Sequence, residues 1–251
     1  MAQNYGWIKD APDERDWKLT LPVIENLPKK VDLRGYFPQT PYQQGRLGSC
    51  TGNAIGGVLA YTQSQQHQTL FVPSRLFIYY NEREREGTVA TDSGASIRDG
   101  FKSIAEQGVC REDLWPYDIS VFTTKPSSAA YENALKHKAI EYRSVNQDLQ
   151  TLKHTLASGF PMAFGISVYD SFENSAVAHT GSVPMPQESE ECLGGHAIVC
   201  CGYDDDKQVF FFRNSWGQWG ERGYGTLPYS YVENPSLASN FWVVTLVSRT
   251  G

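Results

Sequence analysis

The residues with the most useful chemistry stand in three short, separate segments. The first runs from Gln44 to Cys50 and leads into a helical pattern that begins at Thr51. Apolar residues recur at helical spacing after the cysteine, which predicts that Cys50 lies at or just before a helix N-terminus. Unpaired N–H groups and the helix dipole favour negative charge there, and the thiolate is the nucleophilic form of cysteine. Taken alone, however, the segment is equally compatible with a buried structural cysteine.

The other two segments supply a histidine and an amide. Two glycines precede His196 at the start of a predicted buried strand, and the next predicted strand leads directly to Asn214. If these strands pair across the polar turn at 204–207, His196 comes close to Asn214. Together with Cys50 they form a nucleophile, a base and a group that orients the base, which is the logic of covalent acyl transfer.

The elements that position these segments change character along the chain. The periodicity predicts helices from Thr51 to about Gln66, after a Ser74 cap, and over 97–107, with weaker helical character at 129–138 and 148–157. The charged run 81–86 is interpreted as a solvated helix surface. Strands are predicted over 161–168, 196–203, 209–213, 223–227 and 241–247. Helices followed by strands predict an α+β protein with a helical lobe, an antiparallel sheet lobe and a groove between them.

Composition narrows the functional classes. The net charge is −6 and there is no basic run, which argues against a nucleic-acid partner. No apolar run is long enough to span a bilayer, and the start resembles no leader peptide. Five scattered cysteines are an odd number, so a disulfide framework is not expected. Free thiols and the missing leader favour a cytoplasmic location, with secretion after leader removal as the alternative, and we expect a monomer with no cofactor.

The first 26 residues differ from the rest. They are polar and punctuated, and we interpret 1–26 as an extended, surface-wrapping arm that Trp7, Ile8 and Trp17 could fix in place. The arm is expected to be either a short inhibitory segment or a permanent part of the fold. The main domain is then 27–251.

The three segments resemble the signature blocks of the papain-like cysteine peptidases, in the same order and at similar separations. The similarity runs from about residue 27 to the C-terminus. It implies a two-lobed fold, with a helical lobe at about 40–120 and a β lobe formed by about 121–251 plus 27–39. It also implies peptide or protein substrates.

The resemblance assigns roles residue by residue. It implies that Cys50 is the nucleophile, His196 its ion-pair partner and the later acid for the leaving amine, and Asn214 the residue that orients the imidazole. Trp216 would shield the His–Asn bond from water, and Gln44 would donate to the oxyanion. The residues expected to contact substrate are Gly48, Ser49, Gly94, Ala95, Gly165, Gly195, Ala197 and Trp216. Gly165 and Ala197 are small, which predicts a roomy apolar specificity pocket.

The chain departs from the family pattern at four positions. The family usually has a disulfide between the positions of Leu47 and Asp92, and both cysteines are absent here. Thr51 replaces the usual Trp after the nucleophile, and Gly195 replaces the usual Asp before the histidine. The last two changes bear on the pH profile and the leaving-group preference.

Three alternatives compete with an endopeptidase. Cys192, His196, Cys200 and Cys201 form a candidate zinc cluster, but strand alternation puts Cys201 on the other face and the usual C-x₂-C spacing is absent. A catalytically silent binding module would keep the groove without the chemistry. An acyl transferase or deamidase would use the same three residues. We predict an endopeptidase because no insertion is positioned to block the end of the groove.

Overall fold

The computed structural model describes residues 5–248 and has the α+β architecture expected from the sequence. The helices are α1 (Cys50–Gln65), α2 (Arg75–Glu86), α3 (Ile97–Glu106), α4 (Ser128–Ala134), α5 (Leu149–Ala157), α6 (Ser175–Thr180), α7 (Trp219–Arg222) and α8 (Tyr229–Glu233). The strands are β1 (Trp7–Ile8), β2 (Lys30–Asp32), β3 (Ala95–Ser96), β4 (Ala139–Val145), β5 (Met162–Tyr169), β6 (Cys192–Asp204), β7 (Val209–Arg213), β8 (Tyr224–Pro228) and β9 (Ala238–Val247).

A seven-stranded sheet forms the second lobe. Its order is β4-β9-β5-β6-β7-β8, all neighbours are antiparallel, and β2 adds to β6 beyond this path. The β6–β7 hairpin pairs Asp204 with Val209 across the polar turn, as the sequence predicts. This pairing brings the end of β7, and hence Asn214, alongside β6.

The two faces of the sheet have different partners because side chains alternate along each strand. Phe164 and Ile198 belong to a core inside the sheet lobe. Their neighbours Ala163 and Ala197 instead pack in the core that also contains helix residues such as Ile55. Small residues on this face let α1 lie close to the sheet, so the start of α1 meets the middle of β6.

The helix boundaries follow local capping. Ser74 accepts a hydrogen bond from the Phe77 N–H at 3.2 Å, and Gly87 ends α2 in the left-handed conformation (φ 73°). Asp148 caps α5 through the Thr151 N–H at 2.9 Å. The Ser74 and Asp148 side chains thus each supply an acceptor for one unpaired N–H of a first turn.

One prediction about these elements was wrong in part, and one strand was missed. The first half of the charged run in α2 is not a solvated surface, because Asn81, Glu82 and Arg83 are fully buried, whereas Glu84 and Arg85 are exposed as predicted. Glu82 accepts a hydrogen bond from the Thr51 hydroxyl at 2.7 Å, and burial raises its pKa from 4.5 to about 8. Strand β4 was not predicted, because its burial pattern does not alternate in the simple way that marks a half-buried strand.

Within residues 5–248, no helix is both long and apolar enough to cross a bilayer.

Candidate active site

Cys50 is the first residue of α1, as predicted, and is completely buried. Its thiol lies in hydrogen-bonding contact with the backbones of Ala197, Gly6 and Thr51. The contact with Ala197 places the sulfur beside the residue that follows His196. The expectation of a thiolate is wrong for this state, because burial raises the pKa of Cys50 to about 12 despite its helix position.

His196 and Asn214 meet as the strand pairing predicts. His196 Nε2 lies 2.8 Å from Asn214 Oδ1, and the imidazole stacks on Trp216 with ring centroids 4.7 Å apart. Because the amide oxygen only accepts, Nε2 carries the proton and Nδ1 of the neutral ring has a free lone pair. Nδ1 has no hydrogen-bond partner among the described residues. The ring can therefore take a proton at Nδ1 while Asn214 and Trp216 hold its plane.

The imidazole is neutral in this arrangement. His196 is fully buried, and burial lowers its pKa from 6.5 to about 4 although the Asn214 hydrogen bond acts in the opposite direction. A high pKa for Cys50 and a low pKa for His196 both favour the uncharged pair. Burial of the covered site thus favours the neutral thiol and imidazole over the expected ion pair.

Gln44 lies in the same buried neighbourhood, where two contacts fix its amide. Its Nε2 donates to the Leu47 carbonyl at 3.0 Å, and its Oε1 accepts from the Ser215 hydroxyl at 2.6 Å. The amide is therefore oriented by the loop before Cys50 and by the residue after Asn214. In this state the Nε2 donor is engaged with Leu47.

The N-terminal arm covers these residues by passing through the cleft. Gly6 lies against two loops of the helical lobe: a side chain on Gly6 would meet the Gly48 carbonyl at 1.7 Å, and one on Gly94 would meet the Gly6 carbonyl at 2.2 Å. The Gly6 carbonyl accepts from the Ala95 N–H at 2.8 Å, and β1 pairs with β3 in parallel. Ala95 therefore does bind an extended backbone, that of the chain's own arm.

Trp7 fills the predicted pocket. Its indole lies over Gly165, where a Cβ would approach Trp7 Cε2 to 1.9 Å, and over Gly195, where a Cβ would approach Trp7 Cε3 to 2.8 Å. Gly165 pairs with Ala197 in the β5–β6 ladder. Three small residues thus leave room for a large aromatic side chain.

Polar contacts hold the arm on either side of the cleft. Tyr5 donates to Glu173 next to the His196 and Trp216 rings. Farther along, the buried Asp10 accepts from Trp242 Nε1 at 3.1 Å.

The next anchor is an ion pair between Arg98 and Asp16 at 2.5 Å. Trp17, expected to fix the arm, is 75% exposed, and Ile8 is 46% exposed. The sequence suggested an arm held by apolar contacts on the surface. Its path through the cleft was missed, although Gly6 between two aromatic residues is the signal that could have indicated it.

Of the remaining residues predicted to contact substrate, some line the groove and others do not. Gly48 faces the arm, but the Ser49 side chain contacts Tyr117 and Asn53 and is fully buried, away from the groove. The Gly94 N–H donates to the Tyr79 hydroxyl at 3.1 Å and is not free for a substrate. All five cysteines are free thiols, and residues 5–248 contain no group of three or more His, Cys, Asp or Glu arranged to hold a metal.

A helical lobe and an antiparallel sheet lobe with Cys, His and Asn at their junction define a cysteine-peptidase architecture. The sequence model for "Papain family cysteine protease" matches residues 27–241, and the chain belongs to that family. The match begins after the arm.

Individual relatives agree with this assignment. An uncharacterized peptidase C1-like protein of Acanthamoeba polyphaga mimivirus is 40% identical over 99% of this chain and 88% of its own length. The crystal structure of xylellain, a cysteine protease from Xylella fastidiosa, is 43% identical, with a TM-score of 0.90 over 98% of this chain and 96% of that one. Digestive procathepsin L 3 of Tenebrio molitor shares the fold at 18% identity, with a TM-score of 0.74 over 97% of this chain and 76% of that one.

Proposed function

We propose that the chain is a cysteine endopeptidase in which Cys50, His196 and Asn214 carry out the reaction, and that the N-terminal arm keeps it inactive through the residues from Tyr5 to Lys9, which occupy the cleft. The observation that carries the proposal is the hydrogen bond from His196 Nε2 to Asn214 Oδ1 beside Cys50. It leaves Nδ1 as the proton acceptor on the ring, which is what a thiol nucleophile needs.

The reaction proceeds by acyl transfer once the arm has left. Nδ1 of His196 accepts the Cys50 proton, and the sulfur attacks the scissile carbonyl carbon. The oxyanion receives hydrogen bonds from the Cys50 N–H and from an N–H of Gln44 Nε2. The imidazolium then protonates the departing amine, and a water molecule activated by His196 releases the acyl group.

Asn214 acts by orientation, because its Oδ1 fixes the tautomer that presents Nδ1 to the sulfur. Trp216 covers one face of the ring. An arrangement that excludes water from the His–Asn hydrogen bond strengthens it, since a low local dielectric increases electrostatic interactions.

The arm supports internal cleavage. Continuous backbone from Tyr5 to Lys9 passes through the cleft. Lys9 Nζ then donates a hydrogen bond to the Pro235 carbonyl at 2.9 Å. A groove that admits a continuous backbone past the nucleophile suits an endopeptidase. The pocket occupied by Trp7 favours substrates with a large apolar side chain at that subsite.

The arm also accounts for the uncharged pair. Removing Gly6 and Trp7 would admit water to Cys50 and His196, which would lower the pKa of the thiol and raise that of the imidazole. Both changes favour the reactive ion pair, so we expect arm removal to switch the site on.

The test is product mapping by mass spectrometry with a panel of peptides blocked at both ends, in the full chain and in the full chain carrying Trp7→Ala. Internal cleavage that is lost in both Cys50→Ser and His196→Ala supports the proposal. Removal of terminal residues only, from matched unblocked peptides, would refute the endopeptidase assignment.

Amide exchange or deamidation products, formed with and without added amine, would identify an acyl transferase instead. Binding without turnover in both proteins would identify a silent module.

A further inference from the structure

A carboxylate and a phenol connect two loops of the helical lobe that line the cleft near the nucleophile. Asp92 lies in the loop between α2 and β3, and its two carboxylate oxygens each accept from the Gly48 N–H at 3.0 Å. Asp92 Oδ1 also accepts from the Tyr79 hydroxyl at 2.6 Å. The same hydroxyl accepts from the Gly94 N–H at 3.1 Å.

The two backbone groups held in this way belong to different loops of the helical lobe. Gly48 lies two residues before Cys50 and its carbonyl touches Gly6, and Gly94 also contacts Gly6. Asp92 and Tyr79 therefore fix the spacing of the two loops that contact the arm backbone beside Cys50. Asp92 also holds the Leu47–Gly48 peptide, two peptide units before the Cys50 N–H.

Tyr79 is suited to this connecting role. It is completely buried, and burial together with the Asp92 hydrogen bond raises the pKa of its phenol well above the usual range. The phenol thus keeps its proton, donates it to Asp92 and uses its lone pair for Gly94. Its ring packs with Leu47 in a small core cluster, so apolar and polar contacts reach the same loop.

We propose that Asp92 and Tyr79 are positioning residues for the peptidase reaction, and that they hold the Gly48–Cys50 backbone where the Cys50 N–H can stabilise the oxyanion. The inference rests on the proposed function. Leu47 and Asp92 stand where the sequence comparison places a missing disulfide, so hydrogen bonds to a carboxylate here link the segments without any dependence on redox state.

The test compares Asp92→Ala, Asp92→Asn and Tyr79→Phe in the full chain, each with and without Trp7→Ala. Tyr80→Phe makes the same chemical change one position along α2 and serves as the control. We expect kcat to fall about 10- to 100-fold in Asp92→Ala and about 10-fold in Tyr79→Phe, with KM changed less than threefold, because oxyanion contacts form mainly in the transition state. Asp92→Asn retains an oxygen acceptor, so it should recover most of the activity.

A second readout separates positioning from a general loss of structure. The rate of Cys50 alkylation by iodoacetamide needs no oxyanion stabilisation, and we expect it to stay within threefold of the parent in every variant. Unchanged kcat in Tyr79→Phe, or alkylation that falls in step with kcat, would overturn the inference. If Asp92→Ala does not fold, Tyr79→Phe and Asp92→Asn decide the matter. If neither the parent protein nor the Trp7→Ala protein cleaves a peptide, the proposed function is refuted instead.

Discussion

Replacing Trp7 with alanine should release the arm from the cleft. The indole is half-buried over Gly165, and truncating a fully buried Trp costs about 3–5 kcal/mol. Half-burial reduces this loss, and so does the indole Nε1, which is buried without a hydrogen-bond partner among the described residues. We therefore expect Trp7→Ala to weaken the arm contact by about 2 kcal/mol, which raises the fraction of open molecules about 30-fold.

The assay is the second-order rate of Cys50 modification by a peptidyl epoxide or iodoacetamide, followed by intact mass and peptide mapping. When open molecules are rare, this rate is proportional to the open fraction. The exposed Cys192 provides an internal reference for the reagent. Trp7→Ala should modify Cys50 about 30-fold faster and leave the Cys192 rate unchanged.

Trp17→Ala is the matched control. It removes the same side chain from the same arm, but Trp17 is 75% exposed and lies outside the cleft against Arg143. It should react like the parent. Equal Cys50 rates in the parent, Trp7→Ala and Trp17→Ala would mean that the arm does not limit access, and the reasoning from the Trp7 contacts would fail.

Two further predictions concern buried hydrogen bonds. Asn214→Ala removes the acceptor for His196 Nε2, so kcat should fall on the order of 10²-fold with KM nearly unchanged in steady-state kinetics of the Trp7→Ala protein; a change confined to KM would contradict the orienting role. Glu82 has a pKa of about 8 in the folded chain and an ordinary value of 4.5, so the unfolded chain releases this proton first and the free energy of unfolding should fall as pH rises from about 4.5 to about 8. Urea unfolding of Glu82→Gln should lack this part of the pH dependence, and parallel curves for the two proteins would refute it.

The sequence was sufficient to predict the main elements around the site. Cys50 follows a glycine-containing loop into a clear helical period, and the β6–β7 hairpin is marked by its polar turn. These local signals determined that His196 and Asn214 would meet. The His196–Asn214 contact follows from the pairing register of β6 and β7, and the turn between these strands sets that register.

What could not be predicted depends on contacts between distant segments. The burial of Asn81 and Arg83 arises because their polar groups find partners elsewhere: Asn81 accepts from Tyr131, and Arg83 donates to the Val89 and Thr91 carbonyls. The sequence does not reveal those partners, and a charged run is by itself typical of a solvent-facing helix. The low pKa expected for Cys50 fails for the same reason. The helix N-terminus can be recognised from the local sequence, whereas the burial by the arm, which raises the pKa, depends on a distant segment.

The arm is part of the same chain as the cleft that it occupies, so its local concentration is set by the length of the connection and not by the amount of protein. Dilution therefore leaves occupancy unchanged, and a separate peptide with the arm's sequence would have to match a millimolar-scale effective concentration to compete. A single backbone cut between Asp16 and β2 would turn this contact into an ordinary two-body equilibrium. At concentrations below the dissociation constant, the freed segment would then spend most of its time unbound.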